Sequence, residues 1–259
     1  TLSSSSAASD VYKRQRSNEK DDMRRVYLAF GLFVALTAGV IAPTSAQERV
    51  EIPQGEARPL TAVLMRPPGP GPFPAVVALH GCGGLGNGTA MLGGRHADWG
   101  QRLVDQGNIV LFPDSFGSRG LGPQCLVRDR TVRPGKERVS DAFAAKFWLQ
   151  QRADVIVDKV SLLGWSNGGT SVLWTASDER KPRDGRPDFN AAVAFYPGCR
   201  LVAQSAERRD WQNRLPLLIL IGEADTWTPA EPCRQLVKLM QLGGRNATII
   251  TYALSLIHI

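Results

Sequence analysis

Between residues 61 and 252, short apolar runs alternate with longer segments of helical period. The strand-like runs are Thr61–Met65, Ala75–Leu79, Asn108–Phe112, Val160–Leu163, Ala191–Phe195, Leu217–Ile221 and Ala247–Tyr252. Several are apolar throughout instead of alternating, which is the pattern of strands covered by helices on both faces. Helical spacing is read over Arg95–Gln106, Glu137–Arg152, Gly168–Ser177 and Ala230–Leu242. This alternation predicts βαβ units and an α/β fold class, with a mostly parallel central sheet. The segment Pro67-Pro68-Gly69-Pro70-Gly71-Pro72 is a turn-rich connector, too short to link domains, and no internal repeat is present. Gly83–Gly94 is glycine-rich but lacks the Lys-Ser/Thr of a phosphate loop, so it reads as an ordinary loop.

Toward the N-terminus the pattern changes. Residues 1–22 are Ser/Ala-rich and then charged, with no hydrophobic period. From Met23 come Arg24-Arg25, an apolar run from Val26 to Ile41, and Pro43-Thr44-Ser45-Ala46. A basic start, an apolar middle and small residues before a cut predict a signal peptide over 23–46, leaving Gln47 as the mature N-terminus. The run is broken by Gly31, Thr37 and Gly39 and is short for a bilayer core of about 30 Å, so an uncleaved anchor is the alternative and no stable membrane anchor is expected after cleavage.

The genetic code links the two ends. Asp10-Val11-Tyr12-Lys13-Arg14-Gln15 can be encoded by GATGTGTATAAGAGACAG, and the reverse complement of that string translates as Leu254-Ser255-Leu256-Ile257-His258-Ile259. Both hexapeptides then look like one transposon adapter from a sequencing library, translated in opposite directions. On this reading residues 1–22 and 254–259 are non-native and residues 47–253 are a single domain, incomplete at its C-terminus. The nucleotide sequence tests this directly.

The formal charge is +7, and with six basic and four acidic residues in 1–46, the other 25 basic and 20 acidic residues leave +5. The cations are interleaved with acids, as in Arg128, Asp129, Arg130, Arg133, Lys136, Glu137 and Arg138. No nucleic-acid motif accompanies them, which favours a solvated surface over a nucleic-acid partner and leaves room for an anionic substrate. All four cysteines, Cys82, Cys125, Cys199 and Cys233, lie after the leader. An even count in an exported chain suggests two disulfides, of any of three connectivities, with free thiols as the alternative. No Cys-x-x-Cys pair points to zinc or redox chemistry.

The chemistry is read from Gly164-Trp165-Ser166-Asn167-Gly168. A Gly-x-Ser-x-Gly alone is weak, but here a strand precedes it and a helix follows. A serine at such a turn needs small neighbours, and the turn lifts its hydroxyl above the sheet edge as a nucleophile elbow. Ser166 is the candidate nucleophile, and the helix behind it favours developing negative charge. His80-Gly81-Cys82-Gly83-Gly84 follows an earlier strand, where hydrolases take a backbone N–H for the oxyanion. Cys82 or Gly83 is the first candidate donor and Asn167 the second, while His80 reads as structural. Asp225, in the turn after Leu217–Ile221, is the candidate acid that orients the base. Glu223 is its possible substitute, and a turn or helix-cap role for Asp225 is the bland alternative. The base should follow Tyr252. His258 stands there, inside the adapter-like tail, so the native catalytic histidine is expected to be missing and the polypeptide as it stands to be poorly active.

These residues, with Pro113-Asp114-Ser115-Phe116-Gly117-Ser118-Arg119-Gly120, Tyr196-Pro197-Gly198-Cys199 and Gly222-Glu223-Ala224-Asp225-Thr226-Trp227-Thr228-Pro229, resemble the dienelactone hydrolase family of the α/β-hydrolase fold. The resemblance implies hydrolysis of a small ester or lactone through an acyl-enzyme, with no metal or organic cofactor, and a histidine in a loop after Tyr252. It also implies pairing of Cys199 with Cys233 and of Cys82 with Cys125, and an export destination, periplasmic or secreted. The family's namesakes use cysteine where this chain has Ser166, which widens the candidates to ordinary carboxylesterases and makes the base more necessary. Arg119 is a candidate for a substrate carboxylate, with a structural role as the alternative. The rival functions are an acyl-peptide or dipeptidyl-type peptidase on the same fold and a non-catalytic binding module.

Overall fold

The computed structural model describes residues 46–86, 92–183, 185–208 and 210–253. Nearly all of the expected leader and the whole tail with His258 therefore lie outside the described residues. The strands are β1 (Glu48–Gln54), β2 (Ala57–Met65), β3 (Phe73–Leu79), β4 (Ile109–Pro113), β5 (Val155–Trp165), β6 (Ala192–Phe195), β7 (Leu217–Gly222) and β8 (Ala247–Tyr252). They form one sheet in the order β1-β2-β4-β3-β5-β6-β7-β8. β1 and β2 run antiparallel to their neighbours, and every other pairing is parallel. This is the α/β class with a mostly parallel sheet that the sequence pattern predicts, and the α/β-hydrolase fold that the family resemblance implies.

Burial explains why the central strands read as unbroken apolar runs. All five residues of β4 are buried, and so are the last five of β3. Successive strand residues point to opposite faces, so both faces of the sheet are covered there. The helices are α1 (Gly94–Asp105), α2 (Glu137–Gln150), α3 (Asn167–Thr175), α4 (Arg200–Glu207) and α5 (Ala230–Leu242). Each of the four expected helices is present, with ends shifted by two residues at most.

Two elements are additional. In β1 only Ile52 is buried and Val50 partly so, because this antiparallel edge strand turns Glu48, Arg49, Glu51 and Pro53 to solvent, so it carries no apolar run. α4 is eight residues long and buries Val202, Ala203, Ser205 and Ala206, a stripe of small side chains too short to show a period.

Both disulfides implied by the family resemblance are present, Cys82–Cys125 and Cys199–Cys233. The first ties the loop after β3 to the segment before α2, and the second ties the start of α4 to α5. Among the described residues, no helix is long and apolar enough to cross a membrane. The loops after β3, β5 and β7 leave the sheet at the carboxyl ends of parallel strands, where open α/β sheets hold their ligands.

Candidate active site

Ser166 joins β5 to α3 at φ 52° and ψ −116°, a left-handed conformation that a side chain rarely adopts. Such a residue costs of order 1–3 kcal/mol and persists only where its surroundings over-determine it. Here the Ser166 N–H donates to Phe195 C=O at 2.9 Å, and Thr170 N–H donates to Ser166 C=O at 2.9 Å. The flanking glycines are required by close approach. A Cβ on Gly164 would stand 2.5 Å from Gly168 O, and one on Gly168 would stand 2.1 Å from Leu79 O. The pattern around Ser166 is thus the backbone packing of a strand-to-helix turn, and the serine is left half-buried at its apex.

The loop after β3 lies against this turn, since a Cβ on Gly81 would sit 3.6 Å from Ser166 Cβ. Gly84 N–H donates to Gly81 C=O at 3.2 Å, closing a turn over Cys82 and Gly83 whose own N–H groups take no part in that bond. Asn167 opens α3, where the first amides of a helix have no intrahelical acceptor. The three candidate oxyanion donors therefore come from two elements that meet at Ser166. Cys82 is further fixed by its disulfide and by Gln124 N–H, which donates to its carbonyl at 2.7 Å.

Arg138 is the residue that sequence reasoning misplaced. In the chain it belongs to a run of mixed charges read as a solvated face, yet it is fully buried. Its guanidinium donates to Asn167 Oδ1, to His80 C=O at 2.7 Å and, more weakly, to Ser115 Oγ at 3.4 Å, and it lies over the Phe116 ring. One cation thereby links the elbow, the loop after β3 and the loop after β4. Burial pulls its pKa down to about 10, against the attraction of Asp141 and Asp114. Only its position in α2 next to strands with polar loops could have hinted at this, because a lone buried arginine leaves no periodic mark.

Arg119, read as a candidate for a substrate carboxylate or for a structural role, makes a structural ion pair. Its guanidinium makes two bonds to the buried Asp141 carboxylate, at 2.9 and 2.8 Å, and one to Ser115 C=O at 2.7 Å. Asp141 has no exposure at all, so a buried carboxylate has claimed the arginine as its counter-ion.

Asp225 is buried in the turn after β7. One carboxylate oxygen accepts from the N–H groups of Trp227 and Thr228, both at 2.9 Å, and the other accepts from Thr228 Oγ1 at 2.8 Å. Burial first, and then the Asp225 charge, raise the pKa of Tyr196, a buried residue at positive φ whose hydroxyl accepts from Arg95 at 2.9 Å. Glu223, in contrast, is exposed and pairs with Arg234 at 3.2 Å. Its N–H donates to Tyr252 C=O at 2.8 Å, so the end of β8 emerges beside the Asp225 turn.

Neither described histidine is placed to act as a base. His80 is fully buried, with Nε2 accepting from Ser115 N–H at 3.2 Å and Nδ1 donating to Gly81 C=O at 2.8 Å. Burial and Arg138 hold its pKa well below the usual value. His96 donates from Nδ1 to Leu85 C=O at 3.1 Å, and burial lowers its pKa to about 4.

A cleft of about 710 Å³ separates the first turn of α3, at Asn167 and Thr170, from the Asp225 turn, at Trp227 and Thr228. Ser166 is not among its lining residues but directly precedes Asn167, and Gly83 lines a separate cavity of about 530 Å³.

Comparison with known proteins places this geometry in a family. The model of the dienelactone hydrolase family matches residues 60–255. Among solved structures, a candidate dienelactone hydrolase of Klebsiella pneumoniae superposes with a TM-score of 0.61 at 19% identity, over 80% of this chain and 85% of that one. Esterase 2 of Thermogutta terrifontis, in a form phosphoramylated by tabun, gives 0.57 at 19% identity, over 80% and 82%. Dipeptidyl peptidase 4 of Porphyromonas gingivalis gives 0.61 at 18% identity, but the 80% of this chain that matches spans only 32% of that one. At these identities the likeness is one of fold. No curated protein matches the sequence.

Proposed function

The chain belongs to the dienelactone hydrolase family, and from that premise we propose that it is an exported serine hydrolase that cleaves small carboxylic esters or lactones through an acyl-enzyme. The observation that carries this reading is the strained, glycine-walled turn at Ser166, because backbone strain at a half-exposed serine has a use in presenting a nucleophile. Ser166 Oγ attacks the carbonyl carbon as the histidine base takes its proton. The ester C–O bond breaks, the alkoxide leaves with that proton, and water then hydrolyses the acyl-serine. The oxyanion is met by the N–H of Asn167 and that of Cys82 or Gly83, donors preset before charge develops. Asp225 orients a histidine and stabilises its cation. That base is the histidine expected after Tyr252, whose own carbonyl accepts from Glu223 N–H beside the Asp225 turn. His258, the third histidine of the sequence, lies in the adapter-like tail and is a stand-in for that base by position only.

Ser166 needs this base more than a cysteine would, since almost no serine hydroxyl is ionised at neutral pH. Two disulfides support an exported, oxidising destination. A fluorophosphonate probe on the full-length protein tests the proposal. Labelling should fall on Ser166, vanish in Ser166→Ala and slow by orders of magnitude in Asp225→Asn. No labelling of a folded protein would leave a non-catalytic binding module as the better reading.

A further inference from the structure

The cleft beside Ser166 is strongly cationic. Arg130, Arg133, Lys136, Arg180 and Arg200 line it, and no aspartate or glutamate does. Of the five, only Arg133 has a carboxylate partner among the described residues, Glu137 at 3.1 Å. Arg130 and Arg180 donate to backbone carbonyls, which leave their charge uncancelled. Lys136 and Arg200 are exposed. A single carboxylate in this cleft would leave most of its positive charge unmatched.

Two of these cations also sit where the fold penalises them. Arg200 is the first residue of α4, and Lys136 immediately precedes α2. A cation at the positive end of a helix opposes the helix dipole, and neither helix has a side-chain cap there. α2 carries Glu137 in its first turn, which offsets Lys136, whereas α4 has no acidic residue there and nothing in its own sequence offsets Arg200. An anion in the cleft would satisfy both the side chains and the helix ends. Tryptophans supply the other half of the surface. Trp227 is 68% exposed at the cleft, and the Trp174 indole lies against the backbone of Gly135.

We propose that this cleft selects substrates carrying two or more negative charges next to a ring, aromatic or sugar, whose apolar face lies on tryptophan. This deepens the hydrolase reading, on which it rests for the word substrate. The ring can come from an aromatic polyacid or from an acidic carbohydrate such as a uronate oligomer, which share the same recognition chemistry.

Binding, read by calorimetry and tryptophan fluorescence at fixed low ionic strength, tests this without turnover. The probes are benzamide, benzoate, benzene-1,3,5-tricarboxylate and trigalacturonate. The tricarboxylate should bind at least about tenfold more tightly than benzoate, as two added pairs of modest strength imply, and benzamide least tightly. Lys136→Gln and Arg200→Gln should each weaken the tricarboxylate by about threefold and leave benzamide unchanged. Tighter binding of trigalacturonate than of the tricarboxylate assigns the ring to a carbohydrate, and the reverse assigns it to an aromatic acid. Affinities of both polyanions no greater than that of benzoate would overturn the proposal, as would a double variant that binds like the wild type. Ser166 labelling together with charge-blind binding would sink this inference alone and leave the hydrolase reading standing.

Discussion

Acid should loosen this fold through His96. The ring is 9% exposed, donates to Leu85 C=O, and packs edge-on against Trp165 at 5.3 Å, directly behind the nucleophile turn. Its Nε2 is buried without a partner, so a proton arriving there gains no hydrogen bond within the fold. Burial accordingly lowers its pKa from 6.5 to about 4. The sign follows from which state binds the proton. Between pH 6.5 and 4 the unfolded chain takes it up and the fold does not, so stability falls as pH falls through this window.

For those two pKa values the loss reaches about 2 kcal/mol at pH 5 and about 3 kcal/mol at pH 4. His80, fully buried and likewise held neutral, adds to the fall. Urea unfolding at pH 7.5 and pH 5.0 should show a loss about 2 kcal/mol larger for the wild type than for His96→Asn, which cannot be protonated. Equal losses in the two proteins, within about 0.5 kcal/mol, would refute the reasoning, because the carboxylates contribute alike to both.

Two further outcomes follow from the network around the site. Arg138→Met should slow fluorophosphonate labelling of Ser166 by about tenfold or more, since it releases the side chain beside an oxyanion donor, and Arg138→Lys should fall between. Labelling at the wild-type rate in both would show that Arg138 only fills space. Removing the Cys82–Cys125 bridge, which spans 43 residues, should cost up to about 4 kcal/mol by denaturant unfolding and slow labelling as well. Loss of stability without any change in labelling would mean that the bridge does not hold the oxyanion loop.

The fold was legible where packing leaves a period or an unbroken run. β3, β4 and β7 are buried enough for every position to be apolar, and α1 and α5 carry clear stripes. β1 was missed because an edge strand buries a single residue, and α4 because a helix of eight residues buries only small ones and a valine. At the site, the residues visible in sequence are those whose chemistry is fixed by local turn geometry. The glycines around Ser166 and the acid after β7 belong to this group. The long-range partners left no such mark. Arg138 reaches across to Asn167, 29 residues away, and to His80, 58 away, and nothing in a linear charge pattern separates it from its solvated neighbours. The structural partner of Arg119 was hidden for the same reason, since Asp141 lies 22 residues further on, in α2.

The central claim is that the strained turn at Ser166 presents a nucleophile. Mixing the full-length protein with a p-nitrophenyl ester and quenching within the first turnovers should release one p-nitrophenolate per chain as a burst. Peptide mass spectrometry should then find the acyl group on Ser166, as acyl-enzyme chemistry requires. A burst that persists in Ser166→Ala, or an acyl group found on any other residue, would contradict the account.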